Sequence, residues 1–440
     1  MLKFLFGHFT RRVLGCQRGS LLNSLTPTQL SDAIPTLWDP KIRLDAARKS
    51  FWGKFVGKES SSMPIIERRD FTTDPGNQIN IQIMSQLLTE GQTGDSTLEN
   101  NEEQFSLGQI SIVPNVLRNA VALNWRAKKQ INFDAIMGIG NLLSSWLARR
   151  IDEDLWNELM YNDPPQSLFA GNATAQTGIG GLNTNCKFGT DEISRIRVAL
   201  ERQGALPIQT VVDGHGEIDW YAIVISEVDA YQLKQDDVWK QDHRYAGMRG
   251  DENPIFTGAL GYYDGCWIYC YRGVKWGTST GYRLGSYLRP EAVLVGAHTS
   301  AVTTITVGTA PSKGTINFTK FFPSTGGVLL IGTEQILYTG TTATTFTGCT
   351  RGYNNTTAAS YTGGQLVTQN NLGYAFAFGS EIAARAWGLD PTRITDVRDY
   401  GYEQGIGIMS YYGQRAIANT AGIMPNAVLM STYSPNPNNI

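Results

Sequence analysis

Apolar residues along the chain change their spacing several times, and each change marks a different element. Alternation runs through Ile79-Asn80-Ile81-Gln82-Ile83 and again through Ile110-Ser111-Ile112-Val113, the period of half-buried strands. Between these runs lies LLTEGQTGDSTLENNEEQFSLG, so the two strands are expected to form a long hairpin with a polar tip. From Phe133 to Tyr161 the spacing becomes helical. Ile136, Ile139, Leu143, Trp146, Leu147, Ile151, Leu155 and Leu159 recur at three- and four-residue steps, giving one broad apolar face. Arg149, Arg150, Asp152, Glu153 and Asp154 are expected to cover much of the opposite side. Asn132 suits the N-cap, and Pro164 and Pro165 stand just beyond the end. About 29 residues span roughly 43 Å, the length of a spine on which other elements rest.

Further on, DEISRIRVALERQGA has Asp191 and Glu192 for a helix start and Gly204 for its C′ position. A strand is expected at Tyr221–Ile225. Ser226 then caps one helix, SEVDAYQLKQDDVWKQ, with Asp229 in the position of a capping box. Strand–helix alternation predicts a mixed α/β lobe here. Residues 301 to 380 read differently. They hold only four charges, Lys313, Lys320, Glu334 and Arg351, among Thr, Gly and short β-branched runs, the pattern of a small all-β unit. Helical character is expected to return from Tyr374 into GSEIAARAWGLD. A composition shift flanked by α/β sequence is the signature of an insertion.

Composition narrows the function. The 440 residues are 41% apolar and 17% charged, which indicates an ordered protein. A formal charge of −2 gives no bulk reason for nucleic-acid recognition. No window has the roughly 18 apolar residues of a membrane helix. Cys16, Cys186, Cys266, Cys270 and Cys349 are scattered and have no zinc spacing, so a reducing compartment is expected. The first twenty residues carry Lys3, Arg11, Arg12 and Arg18 without an acid. They are expected to be a basic arm of the mature protein in preference to a targeting segment. The aromatic and basic stretch LWDPKIRLDAARKSFWGKFVGK, with a short helix at Ala46–Phe55, has no core of its own and must lie on another surface.

The search for chemistry returns little. Asp213, His215, Glu217 and Asp219 in DGHGEID could hold a metal, but Gly214 and Gly216 favour an exposed turn. Cys266 and Cys270 share one face of an expected strand about 13 Å apart, too far to act together. The acids Glu90, Asp95, Glu99, Glu102 and Glu103 lack calcium-loop spacing and are expected to be a solvated hairpin tip. MGIGNLL and TGIGGLN lack the full phosphate-loop pattern. No cofactor is expected, and no catalytic, cofactor-binding or metal residue is assigned.

Four stretches, in order, resemble the major capsid proteins of tailed bacteriophages with the Hong Kong 97-type fold, within them the podovirus family typified by the coliphage called N-four. They are LWDPKIRLDAARKSFWGKFVGK; INIQIMSQLLTEGQTGDSTLENNEEQFSLGQISIVPNVLRNAV; YAIVISEVDAYQLKQDDVWKQ with ENPIFTGALGYYDGCWIY; and FAFGSEIAARAWG with DYGYEQGIGIMSYYGQRAI. The resemblance implies an α+β fold with an N-terminal arm (1–60), an extended E-loop hairpin (61–115), a P-domain with the spine helix (116–204), an A-domain (205–295) and a P-domain return with C-terminal tail (371–440). An inserted small all-β domain (296–370) departs from the basic fold. It implies a non-enzymatic virion protein, assembled in the host cytoplasm, that self-assembles into hexamers and pentamers of an icosahedral shell around double-stranded DNA. Portal, scaffold and decoration proteins are candidate partners, and no membrane is involved. The hairpin tip has no Lys, so no Lys–Asn crosslink is expected. Two other classes remain open: an adhesin-type virion protein with the β insertion as binding head, and a metal-dependent hydrolase using Asp213, His215 and Glu217.

Overall fold

Three sheets, one long helix and a free-standing hairpin account for the apolar runs. They are seen in a computed structural model that describes residues 50–435 apart from 59–61, 70–75, 85–90, 92, 96, 98, 100–101, 104–106, 131–134, 163–164, 180–183, 214–215, 246–259, 272–274, 278–281, 285–287, 289, 309–318, 320–321 and 419–422. Asn132 as helix cap, the basic first twenty residues and most of the aromatic arm lie outside the described residues.

The first sheet has five strands in the order Val56–Lys58, Ile65–Arg68, Ala383–Arg398, Glu403–Ala416, Asn115–Asn124. Its centre is the hairpin Ala383–Arg398/Glu403–Ala416, antiparallel from Ala383↔Ala416 out to Arg398↔Glu403. The spine helix, Ala135–Asn157 with a π-turn at Glu158–Asn162, packs across one face. Leu143, Leu147 and Ile151 meet Trp387, Ile406, Ile408 and Tyr412 there, so the apolar stripe is used as the spacing predicts. The other side of the helix is not uniformly solvated as expected. Asp152 and Asp154 are buried. Asp154 accepts the Tyr412 hydroxyl at 2.6 Å and pairs with Arg150 at 3.0 Å. Asp152 accepts Ser50 Oγ and the Phe51 N–H, both at 2.6 Å. Helix periodicity cannot show that a second layer covers the polar side.

That layer is the end of the arm. Trp52–Phe55 forms a 3-10 turn whose rings fill a slot made by the spine helix and the second sheet. Trp52 has no exposed surface and meets Trp156 at 4.9 Å and Phe378 at 5.6 Å. Phe55 meets Tyr269 and Phe378, each at 5.2 Å. Val56–Lys58 then pairs in parallel with Ile65–Glu67 at the edge of the first sheet. One short segment thus ties both sheets to the spine.

The second sheet orders Pro165–Phe169, Met424–Tyr433, Leu372–Phe378, Gly216–Ile225, Cys266–Cys270 and Tyr262–Tyr263, with Gln209–Asp213 beside Gly216–Ile225. It carries the largest core, including Ile223, Ile225, Phe376, Phe378, Val428 and Met430. The helix Thr190–Gln203 closes on Gly204 in the left-handed region (φ 69°), as its spacing predicts, because glycine has no Cβ to clash there. Ser226 caps Glu227–Gln235 by accepting the Asp229 N–H. The Asp229 carboxylate accepts the Ser226 hydroxyl, where a Glu would reach back to the backbone.

Two helices replace the one expected from Ser226 onward. The first ends at Gln235, and the second runs Asp237–Tyr245. Asp236 breaks the run because its carboxylate accepts the N–H and hydroxyl of Thr190, each at 2.7 Å, and the Val238 N–H at 3.0 Å. A second correction concerns 374–398. Leu372–Phe378 and Ala383–Arg398 are strands. All seven residues of Leu372–Phe378 are buried, so no alternation marks them, and a short buried run reads equally as helix or strand. The Ala-rich start of the second pairs with Ile65–Arg68 and with Gln414–Ala416, and this pairing overrides the helix propensity of Ala.

The third sheet has eight strands in the order Gly340–Thr341, Thr345–Thr347, Ile305–Gly308, Glu291–Leu294, Leu366–Gln369, Gly327–Ile331, Glu334–Tyr338, Thr350–Tyr353. It encloses its own core of Leu294, Ile305, Val307, Leu329, Ile331, Ile336, Tyr338, Phe346 and Val367, with Phe322 against Phe346 at 4.8 Å. The sheet begins at Glu291, five residues before the boundary expected at 296, because Glu291–Val293 pairs with Leu366–Thr368. Entry and exit therefore lie on adjacent strands. The Gln369 N–H bonds the Pro290 carbonyl at 3.2 Å and the Tyr374 N–H bonds the Leu288 carbonyl at 2.7 Å, so the crossing is a hydrogen-bonded ribbon.

Candidate assembly surfaces

Strands Ile79–Met84 and Leu107–Ile112 form the predicted hairpin, in register from Ile79↔Ile112 to Met84↔Leu107. Its base is anchored where Ile79, Ile81 and Ile112 pack on Ala384 and Ala386. The closeness depends on Gly413, where a Cβ would come within 2.9 Å of the Val113 carbonyl and 3.0 Å of Ile112. Beyond the base, Asp95, Glu99 and Glu102 are exposed. No group of metal-binding residues is found among the described residues.

The outer half of the first sheet is the second open surface. Burial along Ala383–Arg398 stops after Trp387, and every residue from Leu389 to Arg398 is exposed. The neighbouring strand Asn115–Asn124 is also mostly exposed. Val113, Val116, Val121, Trp125, Ile394, Val397, Tyr400 and Tyr402 all show more than a third of their surface. They fall on both faces of the sheet end, since Val116 and Val121, and Ile394 and Val397, stand an odd number of residues apart, so this end is left uncovered on either side.

Asp213 pairs with Gly216 and Val212 with Glu217 across a tight hairpin. His215 lies outside the described residues. Cys266 and Cys270 do share one strand, but burial pushes the Cys266 thiol up to about 12. Burial likewise pushes Cys349 up to about 11, and its Sγ donates to the Phe346 carbonyl. Thiols held protonated in this way are poor nucleophiles. MGIGNLL lies inside the spine helix, where Gly140 leaves room for the Arg393 guanidinium. No described helix is long and apolar enough to cross a membrane.

The feature that the sequence did not reveal is a buried ion pair in the third sheet. Arg351 and Glu334 form two parallel bonds of 2.8 Å with 7% and 0% of their side chains exposed. Glu334 also accepts the N–H groups of Gly352 and Ala359, each at 3.0 Å. Arg351 reaches the carbonyls of Thr299 and Ala359. Burial alone would raise the Glu334 pKa, but these bonds outweigh it and hold the carboxyl at about 2. That these are two of only four charges in residues 301–380 was the available signal.

Comparison with known proteins is consistent with these surfaces. Residues 17–176 match the family model described as phage capsid protein. The major capsid protein of Pseudomonas phage KPP25 is 24% identical over 298 residues, covering 57% of this chain and 77% of that protein. The capsid subunit of cyanophage Pam1 superposes with a TM-score of 0.63 at 13% identity, over 92% of this chain and 98% of that one. The capsid of Ralstonia phage GP4 gives 0.57 at 17% identity, over 92% and 96%. That of Helicobacter pylori bacteriophage KHP30 gives 0.59 at 14% identity, over 96% and 100%. The α+β fold is the Hong Kong 97-type fold of phage capsid proteins. What the chain is similar to, in both sequence and fold, is therefore the phage capsid proteins, a class of virion components. The adhesin and hydrolase classes have no support in these relatives.

Proposed function

We propose that this protein self-assembles into hexamers and pentamers of an icosahedral shell enclosing double-stranded DNA, after synthesis in the host cytoplasm. The observation that carries this reading is the pair of surfaces left open by the fold: the hairpin 79–112 and the outer half of the five-stranded sheet. Both are held rigidly at their base and exposed beyond it, as elements meant to be covered by other copies are. In this reading residues 1–60 are the arm, 61–115 the E-loop, 116–204 and 371–440 the P-domain with its spine, and 205–295 the A-domain. Residues 296–370, with the strand from Glu291, are an inserted module that projects from the outer surface. Purified full-length protein should form particles of megadalton mass with fivefold and sixfold capsomers in electron micrographs. A discrete small oligomer under all assembly conditions would defeat the proposal, and a map with the module facing the DNA would defeat its outward placement.

Two further outcomes are expected. Replacing residues 291–369 by a short Gly/Ser link should leave shells that assemble but lack the module's density. Its entry and exit strands are ladder neighbours about 5 Å apart, so the link bridges almost no gap. Failure of the remaining body to fold would show that the module is structurally required. Deleting residues 1–20, with Lys3, Arg11, Arg12 and Arg18, should lower genome retention while subunit folding is unchanged, because those bases would screen packaged phosphates. Equal DNA content in purified particles would remove that role.

A further inference from the structure

Two buried opposite charges lie near each other between the spine helix and the first sheet without a bond between them. Asp152, on the spine, spends both carboxylate oxygens on the end of the arm. Its Oδ1 accepts the Ser50 hydroxyl and its Oδ2 the Phe51 N–H, each at 2.6 Å. Arg385, on the strand Ala383–Arg398, is only 6% exposed. Its Nε donates to Gln414 Oε1 at 3.0 Å, and Gln414 Nε2 donates to the Ile151 carbonyl at 3.0 Å. The guanidinium is thereby tied to the spine residue that precedes Asp152. Its Nη2 is nevertheless buried without a hydrogen-bond partner among the described residues. Glu67 stands opposite Arg385 in the parallel ladder, but its carboxylate pairs with Arg69 at 2.8 Å, and Arg69 also holds Asp390 at 2.9 Å. Both carboxylates that act on Arg385 are thus engaged elsewhere. Burial raises the Asp152 carboxyl above its ordinary value and lowers the Arg385 guanidinium. A buried cation short of an anion is costly, and pairing it with a carboxylate recovers part of that cost.

We propose that Asp152 is a two-position latch on the arm. In the seated position, the one observed, it holds Ser50 and Phe51 and leaves Arg385 short of an anion. In the released position its side chain turns onto the Arg385 guanidinium, and the Ser50 hydroxyl and Phe51 N–H come free. Two bonds to a carboxylate are lost and a charge-assisted pair is gained, so the two positions lie close in energy. Trp52 and Phe55 stay packed in both, which confines the change to the point where residues 1–49 join the body. Ser50 is central to it, because its Oγ also accepts the Gly53 N–H at 3.1 Å and so caps the turn that follows. The latch therefore sets the direction in which the arm leaves the subunit. It belongs to a single chain and stands whether or not the chain closes into a shell.

The test is amide hydrogen exchange at Phe51 in the unassembled full-length subunit. D152N is the discriminating variant. Its carbonyl oxygen still accepts the Phe51 N–H and its amide donates to Ser50 Oγ, but it has no charge to offer Arg385. Exchange at Phe51 should fall about threefold or more, because the released position loses its partner. For a carboxylate that only caps the arm, the same change removes charge-assisted bonds and raises exchange. R385M, or R385Q should R385M not fold, should lower exchange in the same direction. D152A should raise it about tenfold or more. Adding R385M to D152A should then change it by less than about twofold, since no carboxylate remains to be shared. Amides of Glu403–Ala416 in the same samples report whether the first sheet itself has loosened. Raised or unchanged exchange at Phe51 in D152N with those amides unaltered would overturn the latch. So would an R385M effect as large in D152A as in wild type.

Discussion

Substituting Trp52 by alanine is expected to destabilise the unassembled subunit by about 3–5 kcal/mol, the usual cost of removing a buried aromatic. The ring has no exposed surface and touches Phe51, Phe55, Trp156 and Phe378 at centroid distances of 4.9–5.8 Å. It joins the spine helix to the second sheet, so a cavity there loosens two elements at once. The indole Nε1 is buried without a hydrogen-bond partner among the described residues. W52F therefore removes an unsatisfied N–H while keeping most of the ring, and should cost well under half as much as W52A. Denaturant midpoints of the purified subunits measure both. A loss below about 1 kcal/mol for W52A would mean that the arm is dispensable to the folded subunit. Assembly should follow stability here: W52A should yield few shells, since an arm that does not seat cannot hold Val56–Lys58 at the sheet edge.

The second large effect is expected at Arg351. R351A leaves the Glu334 carboxylate buried beside two N–H groups without its cation, and breaking a buried pair from one side costs about 3–5 kcal/mol. The loss should be confined to residues 291–369, seen as faster amide exchange in the third sheet with the spine helix and second sheet unchanged. Replacing both partners by apolar residues should cost much less than the sum of the single changes, because no orphaned charge remains. The pH dependence has a definite sign. The folded Glu334 carboxyl titrates at about 2, below its ordinary 4.5. Its stabilisation is therefore complete above about 4.5 and is lost as pH falls from there through about 2. The displacement corresponds to about 3 kcal/mol. E334Q should flatten the acid limb of the module's unfolding curve. An acid limb unchanged in E334Q would assign it to other carboxylates.

Much of this architecture can be read directly from residue spacing. The spine helix follows from three- and four-residue steps, and the long hairpin follows from two alternating runs around a polar tract. The third sheet follows from a neutral, Thr-rich stretch. Each of these elements has one buried face and one exposed face, so the pattern of the chain records the fold. Where burial is on both faces that record vanishes. Leu372–Phe378 is buried throughout, and Ala383–Trp387 is buried with Ala-rich composition, so both read as helix although they are strands. The break at Asp236 depends on Thr190, and the burial of Asp152 depends on Ser50 and Phe51. These partners are 46 and about 100 residues away.

The open surfaces divide in the same way. That the chain carries arms and hairpins with no core of their own is written in residue types and order alone. Which parts stay uncovered is not. Tyr400 and Trp125 are ordinary aromatics in sequence and become the most exposed rings at one sheet end only because Arg398 pairs with Glu403 and the Trp125 N–H reaches Tyr402. Glu334 and Arg351 are two lone charges in sequence, and strand pairing between Glu334–Tyr338 and Thr350–Tyr353 makes them a buried pair. Local periodicity reports how an element meets its own layer. Long-range pairing decides which layers meet, and therefore which charges are buried and which faces are left for another copy.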